Sequence, residues 1–179
     1  LYCDAKDSST RRGSQSAMAM ILKPLLLLLA PVLTYTADEI LEAMPSVLKG
    51  SAEDIFDMVY ALIDAPAAMF EEVYLSEARN QFSIIVDALK KEKTIKDTLE
   101  LYLCTESEKL TALKGADAED WFQVSGIGAE TLQQELGRFE VDGDSFIIFK
   151  AEQHKCPRCW KFKAQEEEGL GGRCDEVMA

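Results

Sequence analysis

Cys156-Pro157-Arg158-Cys159 sets two thiols three residues apart, a spacing at which one tight turn can aim both sulfurs at a metal ion. Zinc takes four N or S ligands in a tetrahedron, supplied by two short loops that the fold brings together. The second loop on offer is Gly171-Gly172-Arg173-Cys174, in which Gly171 occupies the position expected for a ligand. Three thiols, Cys156, Cys159 and Cys174, therefore form the candidate ligand set, and His154 is the one nitrogen candidate for the fourth position. If the approach to the turn is extended, His154 and Cys156 point to the same side, because strand side chains alternate. Water or Asp175 are the other candidates. The expectation is a zinc that is weakly held, or a module that has lost its metal and is partly disordered at its C-terminus. Two further readings stay open on spacing alone. A redox CxxC opens a helix that follows a strand, and Pro157 with no apolar helix after it argues against that. Reduced structural thiols are the third.

The turn sits on a basic, aromatic stretch. Between residues 150 and 163, Lys150, Lys155, Arg158, Lys161 and Lys163 face only Glu152, a local balance of +4 within a chain of net charge −13. The acidic body argues against indiscriminate nucleic-acid binding, whereas a basic tip suits a directed phosphate contact. Trp160 between Arg158 and Lys161 either stacks on a partner or covers the small core of the turn. Catalytic patterns are missing. With His154 as the only histidine, no Ser-His-Asp or Cys-His apparatus can form in the body, and there is no glycine-rich phosphate loop.

The elements that must position these residues are predicted as follows. At 179 residues, 47% hydrophobic and 28% charged, the chain can bury a core and has the composition of a globular protein. The apolar run from 17 to 33 follows Arg11-Arg12 and imitates a secretory signal, but the chain opens on Leu1 and Lys23-Pro24 interrupt the run. It is also short of the roughly 20 residues of a membrane span. It is predicted as a buried helix capped by Asp7 or Ser8 and bent at Pro24, and the missing initiator Met suggests a piece of a longer protein. Thr36-Ala37-Asp38-Glu39 reads as a capping box opening a helix that ends before Pro45. Ser51 to Asp54 can open a further short helix. Residues of about 66–92 have the spacing of a long amphipathic helix whose lysines 90, 91 and 93 complement its dipole. Strands are expected at 99–103, 121–124, 139–141 and 146–149, with Asp142-Gly143 and Gly126 as turns and helical pieces at about 106–114 and 129–136. The fold class is thus mainly α: a helical bundle over 1–97, a small mixed α/β subdomain over 98–152, and a zinc-knuckle module over 153–179.

Four stretches in order resemble one family. Leu1-Tyr2-Cys3-Asp4 with Asp7-Ser8 and Arg11-Arg12 is similar to an "LY…DS…RR" pattern. Ala30 to Ile40 resembles "APILSFTADEIW", with Leu41 in place of the Trp. Lys93 to Glu100 resembles "K-x-IG-x-SLE", with Lys96 in place of the Gly. Lys155 to Phe162 with the trailing Gly171 to Cys174 resembles the "CxRCW(K/H)Y…CxRC" zinc module of isoleucyl-tRNA synthetases. The resemblance implies the C-terminal portion of such a class I enzyme, carrying an anticodon-binding helical bundle. It implies a cytoplasmic, monomeric parent that joins isoleucine to tRNA(Ile) using ATP, partnered here by the upstream catalytic and editing domains of the same chain and by no membrane. The family's HIGH-like and KMSKS-like ATP motifs are missing, so this portion is expected to have no activity alone, with ATP bound only in the absent catalytic domain. It implies tRNA contact by Trp160, Arg158, Lys161, Lys163, Arg11 and Arg12. Zinc is the implied cofactor, its site incomplete at Gly171. Cys3 and Cys104 lie outside the cluster and are expected as buried thiols. The alternative is a non-catalytic helical scaffold or adaptor with a degenerate zinc knuckle.

Overall fold

The leucine-rich run folds as one helix, α1 (Ser9–Leu29), which continues through Pro24 although that residue can donate no backbone hydrogen bond. Ser8 caps it, its hydroxyl accepting the N–H of Arg11 at 3.2 Å. α2 (Thr34–Ala43) begins two residues before the capping box expected at Thr36, and no side chain caps it. Thr34 instead turns its hydroxyl back onto the Ala30 carbonyl at 2.8 Å. Asp38, freed from a capping role, accepts the N–H of Ile55 at 3.1 Å. Met44 is extended ahead of Pro45, as a residue before proline prefers, and this ends α2. A short helix α3 (Ser46–Lys49) and a 3-10 turn (Ile55–Asp57) follow. The 3-10 turn carries a reciprocal Asp54/Asp57 capping box, so the opening expected near Ser51 to Asp54 forms just after it.

The computed structural model describes residues 3–59, 71–111, 113 and 116–179. The chain divides into two units, Leu1–Pro66 and Ala67–Ala179. In the first, Leu26, Ala30, Ala37, Leu41, Met44 and Ile55 are packed together. The division falls well before the boundary at 97 expected from the sequence. The reason is the long helix α4 (Glu72–Lys91), which packs on a sheet instead of closing a bundle. The start of that helix expected near 66 lies outside the described residues. Tyr74, Leu75, Ala78, Phe82, Val86 and Leu89 recur every three or four positions and form one buried face.

That face lies on a four-stranded sheet built from β1 (Leu101–Cys104), β2 (Gly126–Gly128), β3 (Glu135–Val141) and β4 (Asp144–Lys150), in the order β2-β1-β4-β3. β1 runs parallel to β2 and antiparallel to β4. The β3–β4 hairpin turns on Asp142-Gly143, both at positive φ (51° and 87°), the pair that a two-residue type I′ turn requires. Between β1 and β2 lie the short helices α5 (Glu108–Thr111) and α6 (Ala116–Phe122). Core contacts include an edge-on pair of Phe82 with Phe122 at 5.5 Å and stacked Phe139 with Phe146 at 4.7 Å.

The architecture is therefore rich in helix, as expected, but not purely helical: two small sheets make it an α/β mix. Three local expectations fail. The strand expected at 121–124 is the end of α6 and a reversal at Gln123 (φ 58°), because so short a stretch, with Trp121, Phe122 and Val124 apolar, does not distinguish a strand from a buried helix end. The helix expected at 129–136 does not form; β3 already begins at Glu135. Leu99 and Glu100, expected as the start of a strand, belong instead to a 3-10 turn (Thr98–Glu100) closed by an Asp97/Glu100 capping box.

Candidate metal centre

The chain leaves β4 and enters a small ribbon of β5 (His154–Lys155) and β6 (Phe162–Ala164), with the Cys156–Lys161 turn at its tip. Two backbone bonds close the turn: the N–H of Cys156 to the carbonyl of Lys161, and the N–H of Trp160 to the carbonyl of Cys156, each 2.9 Å. After β6 the chain returns through a bridge of Ala164 to Gly171 into α7 (Gly172–Met178), whose first turn carries Cys174. The sulfurs of Cys156, Cys159 and Cys174 all lie within 4.8 Å of one another. Tetrahedral zinc with Zn–S bonds of about 2.3 Å needs sulfurs about 3.8 Å apart, so a small contraction of this cluster would accommodate the ion.

The surroundings favour an anionic sulfur at Cys156. Burial by itself pushes the Cys156 thiol up, but backbone N–H groups of Gly171, Cys159 and Arg158 donate to its sulfur and carry it down to about 6. Cys159 moves the other way, to about 11, through burial and the adjoining sulfurs of Cys174 and Cys156. Crowded thiols of divergent acidity are what a cation of charge +2 would reconcile. The donor set thus fits zinc, with Cys156, Cys159 and Cys174 as its ligands.

His154, expected as the fourth ligand, is not in the group. A register shift between His154 and Lys155 breaks the strand alternation that would have placed it beside Cys156. His154 is exposed where Cys156 is fully buried. Cys104 is buried and Cys3 half-buried, both outside the cluster.

The basic residues divide into two kinds. Lys161 is buried and donates to Glu119 at 3.0 Å and Asp120 at 2.7 Å, both on α6; these carboxylates outweigh burial and raise its pKa. Lys163 reaches the other oxygen of Glu119 at 2.6 Å. These two lysines therefore pin the ribbon to α6. Ser125 adds a further tie, accepting the N–H of Phe162 at 2.6 Å while donating to the Leu99 carbonyl. Sequence reasoning did not single out Glu119, Asp120 or Ser125. Partners some forty residues apart leave no local signal, although an acidic run just before Trp121 was there to be matched with the lysines.

Trp160 and its neighbours face outward. Its side chain is 62% exposed, and the ammonium of Lys155 sits 5.6 Å from its ring centroid. Its backbone has φ +66°, a left-handed conformation that favours glycine and costs a bulky residue roughly 1–2 kcal/mol. Arg158, in the same turn, is half-buried. Arg11 and Arg12 belong to the N-terminal unit; Arg11 donates to the Asp4 carbonyl at 3.3 Å and Arg12 is exposed. No described helix is long and apolar enough to cross a membrane.

No protein-family model matches the chain. Individual proteins do. The chain is 56% identical over 178 residues to the isoleucine--tRNA ligase of Nitratiruptor sp., and 54% identical over 178 residues to that of Sulfurimonas denitrificans. It is 48% identical over 179 residues to that of Campylobacter concisus. Each alignment takes in 99–100% of this chain and 19% of the relative's length, so the chain spans about a fifth of the proteins it matches. The chain is thus similar, over nearly all of its own length, to one stretch of isoleucine--tRNA ligases.

Proposed function

We propose that this chain is the C-terminal, anticodon-arm-binding portion of an isoleucine--tRNA ligase, holding tRNA(Ile) while domains elsewhere in the protein join isoleucine to it with ATP. The observation that carries this reading is the knuckle: a solvent-facing Trp160, flanked by Lys155 and Arg158, on a turn fixed by a three-cysteine cluster. An exposed indole beside cations offers a stacking face for an unpaired base and charge for the neighbouring phosphate. Holding Trp160 in a strained backbone conformation is intelligible if its ring does work on the surface, since it covers little of the turn's own core. Bound zinc would cross-link the turn to α7 and keep that face rigid. Lys161 and Lys163 orient the knuckle through Glu119, so Arg158 and Lys155 are the tip's phosphate contacts. Arg11 and Arg12 are proposed to add a separate contact from the N-terminal unit. The parent is proposed to be a monomeric cytoplasmic enzyme, and this portion alone to be inactive.

Equilibrium binding of isoleucine tRNA across a salt series tests the reading. The acidic body predicts weak binding that declines further as salt rises. Salt-independent association, or equal affinity for double-stranded DNA of the same length, would contradict it. Isoleucine-dependent pyrophosphate exchange should stay at the buffer level.

A further inference from the structure

Gly171 stands where a fourth thiolate would complete the metal site, and the structure shows what lies there instead. A cavity of about 120 Å³ opens beside Cys159 and Cys174 at Gly171, its wall completed by Glu119, Lys161 and Lys163 among others. A water's share of liquid volume is about 30 Å³, so this space has room for a few waters or one small thiol. The backbone has closed in on the glycine itself. A Cβ at Gly171 would lie 3.2 Å from Lys163 Cβ and 3.3 Å from the Lys163 carbonyl oxygen, closer than a side chain sits comfortably. The open position is thus built into the path of β6.

Among the described residues, no histidine or carboxylate joins the three sulfurs. His154 and Asp175 are exposed and outside the sulfur cluster. Glu119 lines the cavity, but its two carboxylate oxygens are already engaged by Lys161 and Lys163. Zinc with three thiolates would carry −1, and the cavity wall brings Lys161 and Lys163 close to it, both already paired with Glu119 and Asp120. Catalytic zinc sites show that three protein ligands and one solvent ligand make a stable set.

We propose that a metal held by Cys156, Cys159 and Cys174 keeps its fourth coordination position open to this cavity, binding a water that small external thiolates displace. The inference rests on the zinc reading above and adds to it an exchangeable ligand. X-ray absorption on the zinc-loaded chain, prepared with a phosphine reductant in place of thiols, tests it. The expected shell has three sulfurs at about 2.3 Å and one oxygen at about 2.0–2.2 Å. Excess 2-mercaptoethanol should raise the sulfur count from three to four, in the natural chain and equally in His154→Ala and Asp175→Asn. A shell unchanged by the thiol, or a light-atom ligand lost in either variant, overturns the open position while leaving zinc binding intact. Failure to retain zinc by elemental analysis overturns both.

Discussion

The two units of this chain hide their apolar surface to very different degrees. In the sheet unit, α4 and the strands enclose a continuous core in which Leu75, Leu101, Leu103, Phe146 and Ile148 have no measurable exposure. In the helical unit, six residues form the buried cluster, while α1 presents Met18, Met20, Ile21, Leu25, Leu28 and Leu29 to solvent among the described contacts. The leucine run reads as buried in the sequence, yet only Leu26 of α1 is fully buried. The lesson is that hydrophobicity marks what a helix can bury, and the neighbouring elements decide what it does bury.

The largest test of this contrast is a pair of substitutions read by denaturant unfolding. Phe146→Ala in the sheet core should cost about 3–5 kcal/mol, since it removes a ring stacked on Phe139 and leaves a cavity. Leu28→Ser on α1, where the side chain is 66% exposed, should change stability by no more than about 0.5 kcal/mol. Comparable losses at the two positions would mean that the helical unit is as tightly packed as the sheet.

Next in size is the anchor between the knuckle and α6. Lys161→Ala leaves Glu119 with Lys163 alone and strands Asp120, which is itself 67% exposed. A buried charge that loses its partner costs about 3–5 kcal/mol; with one partner solvated and another cation remaining, a loss of about 2 kcal/mol is expected. Urea unfolding of the sheet unit measures it. An unaltered midpoint would return Lys161 to the role of a phosphate contact.

A smaller effect separates shape from function at Trp160. Trp160→Gly should stabilise the knuckle by about 0.5–1 kcal/mol, because glycine accepts φ +66° without strain and an exposed indole contributes little packing. The same variant should lose tRNA affinity. A destabilised knuckle would show the ring to be a structural cover.

How far these features were legible in the sequence follows the range of the interactions. Some local signals were read well: the Ser8 cap, the end of α2 before Pro45, the Asp142-Gly143 hairpin and the Cys156/Cys159 spacing are each fixed by residues a few positions apart, whereas the capping box at Thr36 and the helix at 129–136 did not form. Long-range partners were not. Nothing near Lys161 announces Glu119, and nothing in the α4 pattern says that its apolar face meets strands in place of helices. The misplacement of His154 has a third cause: a single register shift in a two-residue strand inverts which side a residue faces, and sequence carries no mark of it here.

The most direct measurement of the central claim is the affinity of isoleucine tRNA for the chain and for Trp160→Ala, with Trp160→Phe as the conservative control. If the ring stacks on a base, removing it should cost about 1–3 kcal/mol, roughly a 5- to 150-fold loss, while phenylalanine restores most of the affinity and zinc content stays constant. Equal affinity in all three chains, with the metal retained, would contradict the account and leave the knuckle without a role in holding tRNA.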